Sequence, residues 1–96
     1  MTNTRKWVRH DRELKKGDIL RTSFNDGYLY SICDGCGFGC HPNSRGNAIY
    51  VKFESTSLET VLAHRDDADE SIVGYRWERF WGIEYLVEEG DNATHA

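Results

Sequence analysis

Apolar and polar positions alternate with a period of two over much of this chain, the spacing of strands that bury one face. The clearest run is 47–53, where Ile49, Val51 and Phe53 alternate with Tyr50 and Lys52. A second pair of runs, Ile19–Phe24 and Tyr28–Cys33, flanks Asn25-Asp26-Gly27, residue types that tolerate positive φ in tight turns. The pattern predicts a hairpin, with Tyr28, Tyr30 and Ile32 on one face and Leu29, Ser31 and Cys33 on the other. Gly17-Asp18 reads as a turn feeding the first of these strands, and Trp7-Val8 as an anchor near the start. Leu58–Ala63 fits either a strand or a short helical turn. Residues 72–87 are rich in aromatic and β-branched types, with Gly74 and Gly82 as bends. In strict register Tyr75, Trp77, Trp81, Ile83 and Tyr85 share an inner face, leaving Phe80 on the outside as an interface anchor.

Short strands, tight turns and little helical periodicity predict a mainly β domain. The expected architecture is a small open or SH3-like barrel of four to five antiparallel strands with a Cys/Gly-rich loop. The alternative is a small α+β fold with Leu58–Asp69 helical. With 96 residues the chain suits a single domain, 1–96, with 1–6 and 90–96 as flexible ends.

Composition narrows the class. The apolar fraction is 39%, but three tryptophans, five tyrosines and four phenylalanines supply core material. No apolar run reaches membrane-spanning length, and the start lacks the apolar segment of a secretory signal, so the cytoplasm is the expected location and no membrane partner is expected. The net charge of −4 hides a gradient: residues 1–21 carry seven Lys/Arg against three Asp/Glu, and residues 59–96 carry three against ten. The simplest expectation is a solvated, dipolar surface. Asp66–Glu70 reads as an exposed acidic loop.

The strongest chemical signal is Cys33-Asp34-Gly35-Cys36-Gly37-Phe38-Gly39-Cys40-His41. Cys33-x2-Cys36 has the spacing of a zinc knuckle, Cys40 lies near enough for a third sulfur, and His41, His10 or His64 would complete a structural site for one zinc ion. Other readings of the cluster are reduced thiols filling a glycine-rich turn, a redox pair (Cys33–Cys36 or Cys36–Cys40), an iron–sulfur site, or a nucleophilic cysteine. In the last case His64 or His10 would be the base, and Asp34, Asp66 or Asp67 would orient it. Gly35-x-Gly37-x-Gly39 forms either an anion nest completed by Arg45 or, more simply, a mobile rim loop.

Arg5, Lys6, Arg9, Arg12, Lys15, Lys16 and Arg21 concentrate basic charge near Trp7, an arrangement that could meet nucleic acid or an acidic protein. Taken together, the sequence reads as a small non-enzymatic interaction or regulatory module whose cysteine-rich loop either holds a structural zinc ion or forms a recognition rim. Its expected partner is another protein or a second copy, contacted through Arg5, Lys6, Trp7, Arg9, Arg12, Lys15, Lys16, Arg45 and Phe80. The alternatives are a thiol- or metal-dependent enzyme and a nucleic-acid-binding module using the basic head.

Overall fold

A computed structural model describes residues 4–65 and 74–89, apart from the side chains of Thr4, Cys36 and Glu89. The chain forms β1 (Thr4–Arg9), β2 (Ile19–Phe24), β3 (Gly27–Cys36), β4 (Ala48–Ser55), α1 (Leu58–His64), β5 (Gly74–Glu78) and β6 (Glu84–Glu89). Two 3-10 turns, Phe38–Cys40 and Arg79–Trp81, interrupt the strand pattern. The strands make one six-stranded sheet in the order β1-β6-β2-β3-β4-β5, every neighbour antiparallel.

This corrects the expected four- to five-stranded barrel. β1 and β5 are the two ends of the order and do not pair, so the sheet is open. Closing a barrel requires the first and last strands to meet. Here β1 is committed to β6 along six residues, from Thr4↔Glu89 to Arg9↔Glu84. The added strands are this N-terminal one, which takes in Thr4–Lys6 of the segment expected to be a loose end, and the second of the two, β5 and β6, into which residues 72–87 divide. The helix is also shorter than the α+β alternative placed it, covering only Leu58–His64.

The β2–β3 hairpin is present, with Phe24 opposite Gly27 across Asn25-Asp26. The left-handed residue of that turn is Asn25, at φ 54°, so the turn does not draw on the conformational freedom of Gly27. Leu29, Cys33, Leu20, Val51, Trp77 and Tyr85 build one core cluster, under the loops that carry Leu14, Cys40 and Ile83. On the other face Ile19 and Ile32 pack with Val61 of α1, ringed by Trp7, Tyr30, Phe53, Leu58, Leu62 and Leu86. The helix turns Leu58, Val61 and Leu62 inward at helical spacing, and Ser57 caps it by accepting the Thr60 amide.

Strict alternation fails at two bulges. Between Tyr30↔Ser55 and Ile32↔Lys52, β4 carries an extra residue, and Phe53 there sits at φ 60°. The phase slip moves Phe53 out of line with Ile49 and Val51 and onto the helix side, where it stacks on His64 at 3.9 Å. Glu54 then turns to the opposite side and accepts the indole N–H of the fully buried Trp77. Between Cys33↔Val51 and Cys36↔Tyr50, β3 carries two extra residues, Asp34 and the left-handed Gly35.

Candidate functional site

The cysteine-glycine segment continues β3 into the Phe38–Cys40 turn. Cys33 and Cys40 are both buried in the core, their sulfurs 4.0 Å apart and not joined in a disulfide. Desolvation pushes the Cys33 thiol up to about 12, the opposite of what a nucleophile or metal ligand needs. His10 directs Nε2 at the Cys40 carbonyl oxygen, at 3.1 Å, and not at a sulfur. His41 is exposed, its Nδ1 3.8 Å from Glu13. His64 lies on the helix, bonded to the Thr60 carbonyl and stacked on Phe53.

The structure therefore corrects the zinc expectation. Among the described residues no group of three or more His, Cys, Asp or Glu can hold a metal ion. Among the described residues the expected ligands do not converge: the Cys33 and Cys40 sulfurs serve the core and the His10 and His64 rings meet backbone carbonyls, while the Cys36 side chain lies outside the described residues. The zinc-stabilised module built on them falls too: what stands is a small mixed β-sheet domain in which, among the described residues, no catalytic or metal-coordinating cluster is found. Asp66 and Asp67, named as orienting carboxylates, lie outside the described residues, as do the acidic loop 66–70 and the end 90–96.

The basic head is also reassigned. Antiparallel pairing lays β1 against β6, so Arg5 stands opposite Glu88 and Arg9 opposite Glu84. Arg5 reaches Glu88 at 3.5 Å and Glu59 at 3.4 Å. Arg65 also meets Glu88, at 3.0 Å. Arg12 is bound to Asp18 at 3.0 Å and stacks on Tyr85 at 4.0 Å. Part of the charge gradient along the chain thus becomes ion pairing in space, at Arg5, Arg12 and Arg21. Lys15 and Lys16 are exposed beside the Gly17 turn, and Arg45 is exposed in the loop before β4. Arg21 is held between Trp7 and Tyr28, with its guanidinium carbon 4.5 Å and 3.9 Å from the ring centres, and pairs with Glu84 at 2.7 Å.

What the glycine-rich segment does build is a tightly packed platform, not a mobile rim. A Cβ on Gly37 would lie 2.5 Å from the Ala48 carbonyl oxygen, one on Gly39 2.5 Å from that of Asn47, and one on Gly46 2.3 Å from the Phe38 Cβ. Only glycine allows these backbones to approach so closely. Arg79 clamps the loop from outside, donating from Nη1 to the His41 carbonyl at 2.6 Å and from Nη2 to that of Ser44 at 2.5 Å. Its own amide donates to the Asn47 carbonyl at 2.8 Å.

On this platform stands Phe38, 73% exposed. It borders a cleft of about 380 Å³ with Gly35, Gly37, His41, Ala48 and Tyr50. Tyr50 also lines a neighbouring cleft of about 370 Å³ with Asp34, Val51, Gly74, Tyr75 and Arg76. Phe38, Tyr50 and Tyr75 thus mark a run of exposed aromatics leading toward β5. Phe80, singled out from the sequence, is 72% exposed on the other 3-10 turn, in a separate hollow with Arg9, His10 and Ile83. Sequence reasoning missed Phe38, Tyr50 and Arg79. The Gly-x-Gly-x-Gly spacing carries the signal for close packing, but spacing alone reads equally well as looseness.

No family model matches the chain, and no curated protein or solved structure gives a significant match. Among the described residues no helix is long and apolar enough to cross a membrane.

Proposed function

We propose that this chain binds an extended polypeptide of a partner protein, seating apolar side chains in the cleft between Phe38 and Tyr50, and that its role is binding and not catalysis. The observation that carries the reading is a large aromatic side chain left exposed on a turn whose backbone is too closely packed to yield. A preorganised aromatic loses little entropy when a partner covers it, and such residues dominate interface energetics. The lining supports an apolar ligand: Gly35, Gly37, Phe38, Ala48 and Tyr50, with His41 its one imidazole.

The test is selection of peptides from a random display library on the native chain, followed by affinity measurement and amide shift mapping. Selected peptides should perturb Gly35–Phe38 and Ala48–Tyr50. Phe38→Ser should weaken them about 30-fold, a hot-spot loss of about 2 kcal/mol, without lowering the melting temperature. Peptides that map to another face, or bind Phe38→Ser equally well, refute the proposal.

A further inference from the structure

Among the described residues the sheet has two open edges, β1 and β5, and they differ in what they would offer a second copy of this chain. An antiparallel strand pair related by a two-fold axis sets residue i opposite residue j with i plus j constant, both side chains on one face. On β1, pairing about Trp7 would set Arg5 against Arg9 of the other copy, twice, so that seam holds no complementary charge pair. On β5, pairing about Trp77 sets Arg76 against Glu78 of the other copy, twice, so the seam is self-complementary. Sliding the register by one symmetric step either way would face Arg76 with Arg76 or Glu78 with Glu78. The same two charges therefore both favour the pairing and fix its register.

The inward neighbours leave those charges available. Arg76 stands opposite Tyr50 and Glu78 opposite Ala48 on β4, neither of which neutralises them. Within the strand the two side chains meet each other, at 2.7 Å, with Arg76 59% exposed. We infer that this chain forms a two-fold dimer by antiparallel pairing of β5 with β5 of a second copy, centred on Trp77. The seam is five residues long, so the dimer is weak and depends on concentration. It brings the Tyr50–Tyr75 clefts of both copies beside one junction. The inference does not depend on the polypeptide-binding reading.

Sedimentation equilibrium over a concentration series reaching the millimolar range tests it, using the native chain, Arg76→Glu and Glu78→Arg. Each single variant replaces two attractive cross-seam pairs with two repulsive ones and should dimerise about tenfold more weakly. An equimolar mixture of the two variants should recover association as a heterodimer, because every cross-seam pair then joins a carboxylate of one variant to a guanidinium of the other. The pair within the strand stays broken in both variants, so recovery arises only across the seam. Thermal melts establish that each variant is folded. A native chain that stays monomeric throughout overturns the inference. So does a dimer indifferent to both substitutions, or a mixture that fails to recover. Phe38→Ser should leave the sedimentation unchanged, which keeps this result separate from the peptide-binding test.

Discussion

Gly39→Ala probes whether the glycine-rich segment is a packed platform or a slack loop. Gly39 is buried and has no left-handed φ, so alanine brings no backbone strain of its own. Its Cβ would meet the Asn47 carbonyl oxygen at 2.5 Å and that of Ala48 at 2.7 Å, against ordinary contact from 3.4 Å. Both obstacles are backbone atoms at the entry to β4, so relief requires the turn and the strand to separate by most of an ångström. Overpacking of this kind costs about 1–3 kcal/mol, and rigid neighbours put it near the top of that range. For a domain this size each kcal/mol moves the melting temperature about 4–8 °C, so Gly39→Ala should melt roughly 12–24 °C lower. Gly27→Ala is the matched control, because a Cβ there meets nothing within 4 Å and no positive φ is needed. It should melt within about 4 °C of the native chain. Differential scanning calorimetry of the three proteins reads this directly. If Gly39→Ala melts alongside the control, the loop is slack and the rigid presentation of Phe38 fails with it.

Three further outcomes follow from the interior. With its thiol pushed up to about 12, Cys33 is thiolate in only about one molecule in ten thousand at pH 8, so site-resolved alkylation should be slow in the native protein and fast in urea; equal rates would refute the buried assignment. His10 is held below its ordinary value chiefly by burial, so the unfolded chain takes up a proton first as pH falls. Stability should therefore decline from about pH 6.5 toward the lower folded value, and His10→Gln should flatten that part of the urea-midpoint profile; an unchanged slope argues against a buried neutral imidazole. Trp77→Phe removes the donor to Glu54 and part of the largest fully buried side chain, and should cost about 2–4 kcal/mol in urea unfolding, while Glu54→Gln, which keeps an acceptor, should cost about 1 kcal/mol.

The local elements were the legible part of this sequence. The β2–β3 hairpin and the β4 run lie where period and turn residues put them, because those signals are short-range, while Leu58–Ala63, which the period left open between strand and helical turn, is helical. The inner face proposed for residues 72–87 held for Trp77, Ile83 and Tyr85 but not for Tyr75, 43% exposed on β5, or for Trp81, 44% exposed. The Arg79–Trp81 turn breaks the strand there and resets its phase, and Gly82, in left-handed conformation, closes that turn. Phe53 shows the same limit, since no residue type near it announces an extra residue whose partner lies across the sheet. The site suffered most. Its cysteines resemble a ligand set in spacing, yet whether a sulfur faces an ion or the core depends on what packs over it, and that is settled by Leu14, Trp77 and Ile83, far along the chain.

The strand order also governs when the sheet can form. Among the described residues β6 lies between β1 and β2, and β1 pairs only with β6. During synthesis β1 must therefore wait, without its hydrogen-bonding partner, until residues 84–89 have left the ribosome. Its arginines, which stand opposite Glu88 and Glu84 in the finished sheet, then act earlier as well: they keep the waiting segment hydrated and repel the waiting strands of neighbouring nascent chains. Of the described strands, β6 is the latest made, and it stitches β1 into the sheet.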